Sequence, residues 1–165
     1  MSAPIPVPEP SPDDDYDGAA FQPIYTAQVT VSGGASAHGR ATGRARSRDG
    51  ALDLELRAPR ELGGDAAGPN PEQLFATAAA ACLHGTLALL ARRHALDPVP
   101  ITVDASVAVG RDPADGGYLL QTELLVKWPG ADSATAARLL AKAAELCPYV
   151  KMLCHGAPAT IRLAP

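Results

Sequence analysis

The chain lacks the excess of positive charge that marks a nucleic-acid binder of the basic-patch kind: 14 Lys and Arg stand against 18 Asp and Glu, a net charge of −4. It also lacks the cysteines for a disulfide framework. Three thiols, an odd number in 165 residues, fit an intracellular protein whose thiols are either inert or chemically used. The N-terminal stretch MSAPIPVPEPSPDDDYDG has neither a basic segment nor an apolar run, so no secretory signal is visible and the cytoplasm is the expected compartment. At 16.9 kDa with 47% hydrophobic residues, the chain has room for one domain with a real core.

What is there begins with a tail. Residues 1–22 are rich in Pro and Asp and offer nothing to bury, which leaves 23–165 as the expected domain. Tyr25, Ala27, Val29 and Val31 alternate with polar residues, predicting a strand over 24–31. A basic strand is expected over about 40–48. Asp49-Gly50 is a hairpin signal, and Leu52, Leu54 and Leu56 alternate as a third strand. Further strands are expected from Ile101 and from Tyr118, joined by the turn Asp115-Gly116-Gly117. A helix is expected to begin at Asp132 or Ser133 and to break at Pro148, and a last short strand to run over 158–163. Three strands, helix, two strands, helix, strand is an α+β order, with helices on one face of antiparallel sheet.

The organising stretch is NPEQLFATAAAACLHGTLALLARRH, residues 70–94. Asn70 is a good helix N-cap, Pro71 suits the first helical position, and Gln73 completes a capping-box pattern. Leu74, Phe75, Ala78, Ala79, Cys82, Leu83, Leu87 and Leu90 leave almost no polar face, so the helix is expected in the middle of the domain. Arg92 and Arg93 flank it closely, and the apolar run reads as too short for a membrane span. Within it lies one thiol, Cys82. Glu72 stands ten residues earlier on nearly the same face, and a carboxylate near a thiol raises its pKa unless a cation stands between them.

NPEQLFATAAAACL at 70–83, GRATGRARSRDG at 39–50, ELGG at 61–64 and CPYVK at 147–151 together resemble the Ohr/OsmC family of thiol-dependent organic hydroperoxide reductases, and the Ohr branch in particular. The likeness runs from about Tyr25 to Leu163. It implies an intertwined homodimer, with sheets from both chains wrapped around two long central helices. It also implies that Cys82 attacks the O–O bond of an alkyl or fatty-acid hydroperoxide, leaving a sulfenic acid and an alcohol. Cys147 then closes a Cys82–Cys147 disulfide, which a dithiol of the lipoyl type reduces. The activating pair implied is Glu72 and an arginine of the early strands. Arg40 is the choice, with Arg44 second, because Ala41-Thr42 is one residue longer than the usual spacing. A guanidinium held between Glu72 and Cys82 answers the electrostatic problem, since it cannot lose its proton and offers several donors.

Alternatives follow from the departures. Cys154 is an extra thiol, read as inert rather than as a second resolving cysteine. His84 and His155 beside cysteines invite a zinc site, but the spacing fits no common one, so neither metal nor cofactor is expected. An OsmC-like peroxidase of different substrate range and a non-catalytic binder of apolar ligands remain the other functional readings.

Overall fold

The computed structural model describes residues 18, 20–34 and 42–164. Three short strands, β1 (Val29–Ser32), β2 (Gly43–Ser47) and β3 (Asp53–Leu56), form an antiparallel meander in that order. Gly50 takes a φ of 76° in the β2–β3 turn, where the Asp49-Gly50 pair was expected to reverse the chain. The register places Val29 opposite Ser47 and Arg46 opposite Asp53.

A 3-10 turn at Arg60–Leu62 leads to α1 (Pro71–Arg93), which carries both halves of its capping box. The Gln73 N–H donates to Asn70 Oδ1 at 2.8 Å, and the Asn70 N–H donates to Gln73 Oε1 at 3.1 Å. Strands β4 (Thr102–Arg111) and β5 (Tyr118–Lys127) form a separate antiparallel hairpin, registered from Thr102↔Lys127 to Arg111↔Tyr118. The described strands thus form two antiparallel sheets. α2 (Ser133–Leu146) starts at Asp132, whose carboxylate accepts the Thr135 N–H at 2.9 Å.

Pro148 does more than stop α2. It occupies the first position of a further helix, α3 (Pro148–His155), that the sequence reading missed. A proline biases the preceding residue towards extended backbone, and Cys147 at φ −69°, ψ 118° is the corner between the helices. The same ring pre-sets the helical φ of the next turn and lacks only an N–H that would be orphaned there.

The core gathers on one side of α1. Leu83, Leu87, Leu90 and Ala91 pack with Ile101, with Leu139 and Ala143 of α2, and with Cys147. Leu87, Leu139 and Cys147 are fully enclosed. Burying each leucine contributes about 1.5–3 kcal/mol. The opposite side of α1 is open: Gln73, Thr77, Ala81, Gly85 and Leu89, spaced four apart, are all exposed. The helix was expected to be covered on several sides, and this chain covers one. At 23 residues α1 is long and apolar enough to cross a membrane by length and composition, so length is no objection. Its packing against α2, α3 and β4 is that of a core helix.

Two expected strands are shorter or missing. β1 begins at Val29, so 24–28 is not strand, and Ile24 and Tyr25 are exposed. Residues 158–164 form no strand, with Ile161 98% and Leu163 95% exposed. Both segments carry strand-like patterns, yet a strand also needs a neighbouring edge: 24–28 has only the Arg48 N–H donating to the Gln28 carbonyl at 2.9 Å, and 158–164 forms no strand among the described residues. Most of the expected tail lies outside the described residues.

Candidate active site

Cys82 lies in the middle of α1 and Cys147 at the start of α3, 65 residues apart in sequence. Packing of α2 and α3 against α1 brings them together: Cys147 Sγ donates to Cys82 Sγ at 3.3 Å. A disulfide needs about 2.05 Å, so the sulfurs close by only about 1.2 Å to bond. Cys147 is 0% exposed, whereas Cys82 is partly open to solvent.

Burial pushes the Cys82 thiol above its ordinary range. The neighbouring Cys147 adds to this, because two thiolates in contact repel and one proton is held between them. The backbone N–H of Tyr149 acts in the opposite sense by donating towards the Cys82 sulfur. That N–H belongs to the first turn of α3, where it has no intrahelical acceptor. Pro148 at the first helical position is the one sequence signal from which this donor was foreseeable.

The other expected site residues stand apart. Glu72 lines a cleft of about 500 Å³ with Glu61, Leu62, Ala76, Val107 and Val109, and neither Cys82 nor Cys147 borders it. Ten residues of helix put about 15 Å along the axis between Glu72 and Cys82, so a single guanidinium does not bond both within one chain. Arg40 lies outside the described residues. Arg44, the second choice, is committed elsewhere: its Nε and Nη2 donate to the two oxygens of Asp53 at 2.5 and 2.8 Å. Arg46 adds a longer contact at 3.3 Å, and the pair of guanidiniums holds the Asp53 carboxyl down to about 2. Both Arg44 and Asp53 remain exposed.

His84 donates from Nε2 to the Ile101 carbonyl at 3.2 Å, which ties α1 to the entry of β4. Cys154 is exposed rather than buried. It lies seven residues along α3 from Cys147, about 10 Å of helix rise.

Two thiols in contact, one enclosed and one partly open, lie on an α+β scaffold. The family model for OsmC-like protein matches residues 63–162. An organic hydroperoxide resistance protein of Xanthomonas axonopodis pv. citri is 41% identical over 143 residues, covering 86% of this chain and 95% of that protein. Among solved structures, an organic hydroperoxide resistance protein OsmC of Legionella pneumophila superposes with a TM-score of 0.71 at 32% identity, covering 82% of this chain and 93% of that one. The organic hydroperoxide resistance protein OhrB of Bacillus subtilis gives 0.67 at 34%, covering 81% and 93%. The chain belongs to the OsmC-like protein family.

Proposed function

We propose that this chain is a thiol-dependent reductase of organic hydroperoxides that serves oxidative-stress defence. The observation that carries the reading is the 3.3 Å contact between Cys82 and Cys147, in a chain whose relatives are named for organic hydroperoxide resistance. The Cys82 thiolate attacks one oxygen of the hydroperoxide. The O–O bond breaks, the alcohol leaves with a proton, and Cys82 holds a sulfenic acid. Cys147 then attacks that sulfur, water leaves, and the Cys82–Cys147 disulfide forms. A dithiol restores both thiols, and a lipoylated protein is the kind of donor the family resemblance suggests. No metal or organic cofactor enters this cycle. The cytoplasm suits it, since a reducing compartment keeps the resting thiols free.

Arg40 and Glu72 complete the site in this reading. Cys82 is mid-helix, beyond the reach of the α1 N-terminal dipole, and burial holds it neutral, so a cation must supply the thiolate. The separation of Glu72 from Cys82 favours a homodimer in which each site draws on both chains. A two-fold axis near Thr77 sets residue 72 of one α1 opposite residue 82 of the other. The open stripe of Thr77, Ala81 and Gly85 is small enough for two helices to approach closely. The same partner offers an edge for the segment at 158–164, which forms no strand in this chain. Domain boundaries at 1–22 and 23–165 fit this assembly.

Replacing Cys82 by Ser tests the reading. The variant should keep its fold and its association state by sedimentation but lose consumption of cumene hydroperoxide supported by dihydrolipoamide. Retained turnover would remove Cys82 from the attacking role.

A further inference from the structure

The two sulfurs of the proposed disulfide differ in what surrounds them, and this decides where a reductant enters. Thiol–disulfide exchange is an in-line displacement: the attacking sulfur approaches along the S–S axis, opposite the sulfur that leaves. For attack on Cys147 that line of approach runs through the core. Cys147 is 0% exposed and packs with Leu83, Leu87, Leu139 and Ala143, with Val150 of α3 against the same cluster. Cys82, by contrast, is partly open to solvent, so its sulfur is the one a reductant can reach. Association with a second copy only adds cover, so Cys147 stays enclosed in any assembly. The opening at Cys82 is the one a hydroperoxide must already use.

We propose that the reducing dithiol attacks only Cys82, that Cys147 is always the leaving thiolate, and that Cys147 never bonds to the reductant. This rests on the peroxidase reading above. In the first step a reductant thiolate bonds to Cys82 Sγ, the Cys82–Cys147 bond breaks, and Cys147 departs with the electron pair and takes up a proton. In the second step the other thiolate of the same reductant attacks its own sulfur in the mixed disulfide. Cys82 leaves as a thiolate and the reductant closes into a cyclic disulfide, having given up two electrons and two protons in all.

The 3.3 Å spacing gives Cys147 a second consequence. While the mixed disulfide exists, Cys147 sits in contact with Cys82 and can expel the reductant by reversing the first step. A one-thiol reductant must await a second molecule and loses that competition. A dithiol carries its second nucleophile with it, at the high effective concentration of an intramolecular group. Cys147 thus selects against monothiols without touching them.

The test uses full-length protein carrying Cys154→Ser, which removes the exposed thiol on the last turn of α3. One equivalent of cumene hydroperoxide is added and disulfide formation is read as the loss of two titratable thiols. The oxidised protein is then mixed with excess 2-mercaptoethanol, quenched in acid at short times, alkylated and mapped by mass spectrometry. The mercaptoethanol adduct should lie on Cys82, with alkylated Cys147, in at least about tenfold excess over the reverse. In steady state, Cys147→Ser should raise turnover with 2-mercaptoethanol relative to turnover with dithiothreitol, because no thiol remains to reverse the adduct. Adducts mainly on Cys147, or an unchanged ratio of the two reductants in Cys147→Ser, overturn this proposal alone. Failure to form any Cys82–Cys147 disulfide overturns it together with the peroxidase reading.

Discussion

Arg40→Ala should move the pH–rate midpoint of Cys82 alkylation, and Arg44→Ala should leave it in place. An unperturbed thiol with a pKa of about 8.5 is roughly 3% ionised at pH 7. Burial and the Cys147 contact push Cys82 above its ordinary range, so its own surroundings leave it less ionised still. A guanidinium in contact lowers such a pKa by about 1–3 units. Loss of Arg40 should therefore raise the midpoint by that amount. The rate at a single pH is a poorer readout. Thiolate nucleophilicity rises with pKa with a slope of about 0.4–0.5, so a three-unit rise returns roughly twentyfold of what ionisation loses. The full profile of iodoacetamide alkylation, followed at Cys82 by mass spectrometry in a Cys147→Ser, Cys154→Ser background, separates the two effects. Arg44 is bound bidentately by Asp53, on a sheet that contributes nothing to the cluster around the cysteines among the described residues. A shift in Arg44→Ala with none in Arg40→Ala would refute this assignment. A shift in neither would place the cation off these strands altogether.

Other outcomes can be checked independently. Equal mixing of Glu72→Ala and Cys82→Ser chains after unfolding should give turnover above both parents, approaching about a quarter of wild type if half the dimers are mixed and each restores one site. No gain would place Glu72 and Cys82 of one site in the same chain. Asp53 should titrate near 2 by carboxyl NMR against an ordinary 3.8, and Arg44→Ala should return it towards that value. Its depressed pKa means the pair's contribution is present above about pH 4 and fades as pH falls towards 2, and an exposed pair should change overall stability little. Asn70→Ala removes one half of the capping box at the start of α1 and should cost about 1 kcal/mol, a fall in Tm of roughly 2–4 °C by calorimetry.

The features legible in the sequence were those set by local chemistry. Asn70, Pro71 and Gln73 specify a helix start whose hydrogen bonds close within three residues, and Asp49-Gly50 and the 115–117 turn specify reversals in the same way. The pairing of Cys82 with Cys147 is not local; it came through resemblance, because no periodicity links residues 65 apart. Pro148 misled because proline gives the same signal to the helix before it and the helix after it. The 158–163 segment misled for a different reason. Alternation announces a face to bury, but it cannot say whether the covering edge belongs to the same chain.

α1 shows the same limit from the other side. Apolarity all round was read as a demand for cover on several sides, yet the chain meets that demand on the one side that carries Leu83, Leu87, Leu90 and Ala91. The uncovered stripe and the unactivated thiol lie on one helix, and they call for the same remedy. Cys82 stays neutral while burial and Cys147 are its dominant neighbours, and the carboxylate expected to steady its arginine is about 15 Å away along its own helix. If a second copy covers the stripe about an axis near Thr77, it also delivers the missing carboxylate. Covering the helix and switching on the thiol then become one event, and an unassembled chain carries a cysteine with little appetite for electrophiles.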